Sequence, residues 1–142
     1  MRARMVYVLY LLSSLVMSLQ SAGAQMLSGQ SVVTDIPFAF IAKGELLPSA
    51  RYAIEPLGGL GSTLVLRSSD GRHTIFLNAN RAQGAVADRS RLQFRCYGKT
   101  CFLEQVFRQG EAMGYELPRS AQEREVAQKL EPRLVVMMLS PR

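Results

Sequence analysis

The run LQFRCYGKTCFLEQVF, from Leu92 to Phe107, decides the fold. Leu92, Phe94 and Cys96 alternate with Gln93, Arg95 and Tyr97, the two-residue period of a half-buried strand. Beyond Gly98-Lys99 a second run sets Cys101, Leu103 and Phe107 against Phe102, Glu104 and Val106. A two-residue loop with glycine first suits a type II′ turn, whose twist matches the strands on either side. That loop makes Tyr97 face Thr100, Cys96 face Cys101, Arg95 face Phe102 and Phe94 face Leu103. A slip of one residue would turn Phe94 and Leu103 to water, so turn and burial pattern agree. Arg95 then lies diagonal to Glu104, an expected exposed pair worth a few tenths of a kcal/mol.

In this register Cys96 and Cys101 occupy the first non-hydrogen-bonded pair beyond the turn. Their Cα atoms are expected about 4.5 Å apart, within reach of a disulfide. The bond would close a short loop and contribute on the order of 2 kcal/mol. Two free thiols or a reactive pair are the alternatives. The spacing is not the Cys-x-x-Cys of redox sites, and zinc would find only two sulfurs and one distant histidine. A nucleophilic cysteine would need a histidine close by. The reading taken is a structural disulfide.

Arg2 and Arg4 precede an apolar run, Val6 to Leu19, and Ala22-Gly23-Ala24 follows. A basic start, a short apolar stretch and an A-x-A site define a secretory signal peptide over 1–24, cleaved after Ala24. The run is too short and too rich in serine for a comfortable membrane anchor. Export, to the periplasm or the cell exterior, places the cysteines where disulfides persist. Residues 25–142 then form a single β-rich domain with no stable membrane span. Losing Arg2 and Arg4 takes 17 basic residues to 15 against 11 acidic ones, so +6 becomes +4. The arginines are dispersed, often beside Glu or Asp, which is not a nucleic-acid footprint.

From Val32 the alternation Val32, Thr34, Ile36, Phe38, Phe40 marks one face of a strand, with Pro37 at an edge or a bulge. A turn is expected at Lys43-Gly44-Glu45, and a second strand from Arg51 to Leu57 with Tyr52 and Ile54 inward. Gly58, Gly59 and Gly61 lack the Lys-Ser/Thr and the helix of a phosphate loop. Thr63 to Ala79 reads as a hairpin about a type I′ Asp70-Gly71 turn, pairing Leu66 with Ile75, Leu64 with Leu77 and Val65 with Phe76. Apolar pairs on both faces predict a central position, covered twice. Arg81 to Arg89 reads as a surface loop.

A short strand is expected near Met113 to Leu117. Ser120-Ala121-Gln122-Glu123 is a capping box that opens a helix to about Leu130, with Val126, Ala127 and Leu130 on one face. Arg133 to Leu139 gives a last strand, with Met137 and Met138 filling gaps in the core. The segments IPFAF, LPSARYAI, SSDGRH, LQFRCYG with CFLEQV, and ELPRSAQERE together resemble a family of small exported bacterial proteins of unknown function. Such relatives carry Leu-Pro-x-Gly-x-Tyr where this chain has Ala50, and an aromatic where it has Cys101. The resemblance implies an exported β-rich module and assigns no activity, cofactor or catalytic residue.

Candidate chemistry is sparse. His73 is the one histidine, opposite Ser68 and near Asp70, but facing residues on an open hairpin offer no pocket or oxyanion hole. Glu55, Glu104 and Glu116 alternate outward and read as solvated. There is no calcium loop of the Asp-x-Asp-x-Asp-Gly kind. With roughly seven to nine short strands, the expected fold is mainly β: a single antiparallel barrel or sandwich with one short C-terminal helix packed on it. The expected function is an exported, non-catalytic binding or envelope-associated module without cofactor or metal. Its partner would be an envelope protein, a polymer or a small apolar ligand. The alternatives are an envelope hydrolase using paired carboxylates, and an assembly subunit pairing through an uncapped edge strand, either around Pro37 or at the C-terminal strand.

Overall fold

A computed structural model describes residues 31–58 and 61–139. The expected signal peptide and the lead-in Met26–Gln30 lie outside the described residues. The chain runs β1 (Val32–Ile36), β2 (Phe40–Ala42), β3 (Glu45–Leu47), β4 (Ala50–Pro56), β5 (Thr63–Ser68) and β6 (Thr74–Asn78). It continues β7 (Asn80–Gln83), β8 (Arg91–Tyr97), β9 (Thr100–Phe107), β10 (Met113–Glu116), the helix α1 (Ala121–Ala127) and β11 (Arg133–Met138). A four-stranded sheet in the order β1-β4-β5-β6 faces a seven-stranded sheet in the order β11-β8-β9-β10-β7, with β2 joining β3 and β9. The sheets do not close on themselves among the described residues, so the fold is a sandwich rather than a barrel.

The β8–β9 hairpin pairs as the sequence reading required: Tyr97 with Thr100, Cys96 with Cys101, Arg95 with Phe102 and Phe94 with Leu103. Gly98 takes φ 60° while Lys99 stays at negative φ, as a type II′ turn demands. Cys96 and Cys101 are bonded, with Cα atoms 3.9 Å apart, on the core side of the ribbon. Phe94 is fully buried, with the rings of Phe38 and Phe40 edge-on at 5.1 and 5.5 Å.

Beyond Leu103 the expected alternation fails, because Phe94 pairs with Leu103 but Gln93 pairs with Gln105. Glu104 is therefore the extra residue of a β-bulge, and Leu117 N–H donates to its carbonyl at 2.8 Å. The bulge exchanges the faces of the residues after it. Val106 turns into the core against Leu92, while Phe107 turns to the outer face. There Arg91 stacks on the Phe107 ring at 4.1 Å. A Cβ on Gly114 would stand 2.6 Å from the same ring, so only glycine fits beside it.

Pro37 does more than mark an edge. The expected strand from Val32 to Phe40 splits there: β1 pairs with β4 in one sheet and β2 with β3 and β9 in the other. Ile36 and Phe40 both stay inward because the chain turns the corner between two walls of one core. Pro48-Ser49 makes a second corner, pinned where Tyr52 hydroxyl donates to the Pro48 carbonyl at 2.7 Å. Burial raises the Tyr52 pKa, with the Asp70 charge adding to it. Ala79 alone links β6 to β7 as a third corner.

Four further expectations need correction. Asp70 keeps negative φ and only Gly71 is left-handed (φ 72°), so the turn is not type I′. Gly71 N–H instead donates to the Ser68 carbonyl within a wider loop closed by Ser68 and His73, which preserves the expected pairing of Leu64, Val65 and Leu66. The β5–β6 hairpin is not central: β6 is an edge, and Phe76 on it is half exposed. Residues 81–83, the start of the expected surface loop, belong to strand β7, paired with β10. The helix stops at Ala127, leaving Leu130 exposed, while Val126 and Ala127 pack on Ile41, Tyr97 and Phe102.

Candidate functional site

Among the described residues β11 is an edge strand of the larger sheet, pairing through Arg133–Cys96 to Met138–Arg91 with β8 on one side only. Its sequence, RLVVMM followed by Leu139, alternates apolar residues on both faces. Val135 and Met137 pack on the core, as the last-strand reading expected. Met138, expected inside with Met137, instead points outward: Leu134, Val136 and Met138 are 58, 49 and 58 % exposed. They recur every second residue and therefore form one stripe on the outer face.

The other edges among the described residues are protected in the ways edge strands usually are. β1 carries the exposed Asp35–Arg51 ion pair and runs into Pro37. β3 has three residues, β7 reads Asn-Arg-Ala-Gln, and β6 sets Phe76 between Thr74 and Asn78. β11 has no charge after Arg133, no proline and no bulge along its pairing with β8. With no strand paired to its other side among the described residues, that side offers a template for another strand, with an apolar stripe beside it. The sequence shows this segment as apolar on both sides, and the C-terminal strand is one of the two places where an uncapped edge was expected. The sheet order leaves one side of it unpaired among the described residues.

Next to β11, the outer face of β8 carries a buried ionic cluster. Arg95 was expected to be exposed but is 5 % exposed, and Glu123 from α1 is 2 % exposed. Arg95 Nε and Nη2 donate to the two Glu123 carboxylate oxygens at 2.5 and 3.2 Å, and Nη1 lies 2.8 Å from Glu104 Oε1. Tyr97 hydroxyl donates to Glu123 at 3.3 Å. Ser120 accepts from Glu123 N–H at 3.1 Å, the forward half of a capping box, while the Glu123 carboxylate turns down to the sheet. Burial alone would lower the Arg95 pKa, but the Glu123 bond and the two carboxylate charges hold it above its ordinary value. Burial and the Glu123 charge raise the Tyr97 hydroxyl.

Glu104 thus departs from the expected solvated face, and a carboxylate pair does meet. It meets around a guanidinium with a helix over it. The separation is filled by Arg95 rather than by a cleft that admits a sugar ring and a water. The arrangement latches α1 to the sheet. No local pattern joins Glu123 to Arg95, 28 residues apart, so the latch was not legible before the fold was known.

The Ser68, Asp70, His73 set is likewise local structure. Ser68 hydroxyl donates to Asp70 Oδ1 at 2.5 Å and accepts from His73 backbone N–H at 3.0 Å. That bond, with a second from Arg72 N–H, holds the Asp70 carboxyl below its ordinary pKa. A serine that gives its proton to a carboxylate and meets His73 through backbone is a turn lock, not a nucleophile with a base. Among the described residues no cluster of three His, Cys, Asp or Glu side chains could hold a metal ion. No helix among them is long and apolar enough to cross a membrane. An open cleft of about 260 Å³ lies between Lys43, Leu77, Leu117 and Arg119. It falls below the roughly 300–1,000 Å³ of small-molecule sites.

No family model, curated protein or solved structure matches this chain.

Proposed function

We propose that this protein is an exported, non-catalytic module of the cell envelope that binds a polypeptide partner by adding a strand to β11. The observation that carries the reading is the β11 edge, unpaired among the described residues, with Leu134, Val136 and Met138 exposed along it. Strand addition draws affinity from main-chain hydrogen bonds and specificity from alternate side chains, and β11 offers both. Export is supported by the signal-like 1–24 segment, by the resemblance to small exported bacterial proteins, and by a disulfide suited to an oxidising compartment. A core filled by Tyr52, Phe40 and Phe94 favours a protein partner over an enclosed apolar ligand. The hydrolase alternative loses support because Arg95 occupies the space between Glu104 and Glu123.

The test places a photo-cross-linking residue at Val136, with Glu55 as a control position, in cells that export the full chain. A defined polypeptide adduct at Val136, absent at Glu55 and lost on Leu134→Lys, is the expected result. Absence of any polypeptide adduct at Val136 refutes strand addition.

A further inference from the structure

We infer that the strand added to β11 is β11 of a second copy of this chain, antiparallel about a twofold axis through Val136. This rests on the strand-addition reading above and names its partner. An antiparallel pair can be centred on a single residue in either hydrogen-bonding phase, because narrow and wide pairs each carry a twofold axis at their middle. Centring on Val136 sets Val136 against itself, Leu134 against the partner's Met138, and Val135 against the partner's Met137. The whole six-residue strand is then used. Centring one residue earlier would bring Met138 opposite Pro132, which has no N–H to give.

The pattern is self-complementary in charge as well as in shape. Arg133 is the strand's lone charge, and this register puts it opposite the partner's Leu139 rather than the partner's Arg133. Like charges directly opposite would oppose pairing, and here none meet. A twofold axis perpendicular to the sheet keeps both stripes on the same face. The outward Leu134, Val136 and Met138 of each copy therefore become one continuous apolar band. Such an isologous contact closes on itself as a dimer and does not propagate into a fibre. A six-residue edge buries less than the roughly 800 Å² per partner of a standard interface. Association is therefore weak and concentration-dependent.

Sedimentation velocity of the full exported chain at about 0.15 M salt, where long-range repulsion between the basic copies is screened, should show a monomer–dimer equilibrium. Val136→Lys sets two ammonium groups face to face and should weaken the dimer at least about tenfold. Its thermal melt, unchanged from the parent, excludes misfolding as the cause. Val136→Cys should form an intermolecular disulfide on mild oxidation, whereas Leu46→Cys, exposed but away from β11, should not. A monomer at every concentration, or a dimer indifferent to Val136→Lys, overturns the inference. In the cellular cross-linking experiment, an adduct with a different protein, or an intramolecular adduct with this chain's own residues 25–30, also overturns it. Only the adduct with a different protein leaves strand addition standing, which separates the two failures.

Discussion

Replacing Arg95 with methionine tests the central ionic latch. Arg95→Met retains a side chain of similar length but removes the charge between Glu104 and Glu123, whose side chains are 12 and 3 % exposed. Glu123 then keeps Arg119 at 4.0 Å and the Tyr97 hydroxyl, and Glu104 the Gln93 amide, in place of the guanidinium that bonded to both. Removing one partner of a buried ion pair typically costs about 3–5 kcal/mol, whereas an exposed pair is worth about 0–1. The two regimes are easily distinguished by urea denaturation. At a slope of about 2 kcal/mol/M, the buried case lowers the midpoint by roughly 2 M without changing the slope. A triple variant, Arg95→Met with Glu104→Gln and Glu123→Leu, removes the stranded charges and should recover most of that loss. A loss below about 1 kcal/mol for Arg95→Met would refute the buried latch. A triple variant as unstable as the single one would show that packing, not charge, set the cost.

The double variant Cys96→Ala/Cys101→Ala should lower stability by about 2 kcal/mol while leaving the far-UV circular dichroism unchanged, since turn and core packing still set the hairpin. Gly114→Ala should cost about 1–3 kcal/mol by driving a methyl into the Phe107 ring; a neutral result in a thermal melt would contradict the close packing there. Asp35 and Asp70 titrate below the ordinary carboxyl value, Asp35 through the Arg51 hydrogen bond and Asp70 through the Ser68 hydroxyl. Depressed folded pKa values mean that the unfolded chain takes up these protons first as pH falls. Their contribution is complete above the ordinary pKa of about 3.9 and is lost as pH falls through the folded values. Carboxyl NMR should show Asp70 moving back toward its ordinary pKa in Ser68→Ala while Asp35 stays put; an unmoved Asp70 would remove the hydroxyl as the cause.

Local signals carried much of the architecture. Glycine first in a two-residue loop fixed the β8–β9 register, and the two-residue period placed Phe94, Leu103, Tyr52 and Ile54 inward. Errors arose where a distant partner overrode a local pattern. Strict alternation put Phe107 inside, but the bulge at Glu104, anchored by Leu117, reversed the count. Alternation also put Arg95 outside, which it is, without revealing that α1 would lie over it. At Pro37 the pattern of inward residues was right while the inferred continuity of the strand was wrong, because two sheets share one core. The stripe on β11 was readable as apolar, but its exposure depends on sheet order, which no period in the sequence encodes.

The three corners between the sheets have a mechanical consequence. Pro37–Ala39, Pro48–Ser49 and Ala79 are links of three residues, two and one, and a residue spans at most about 3.6 Å. Such short tethers leave no slack for the walls to part like jaws around a guest. The partner proposed above would therefore have to be held at the rim rather than between the sheets.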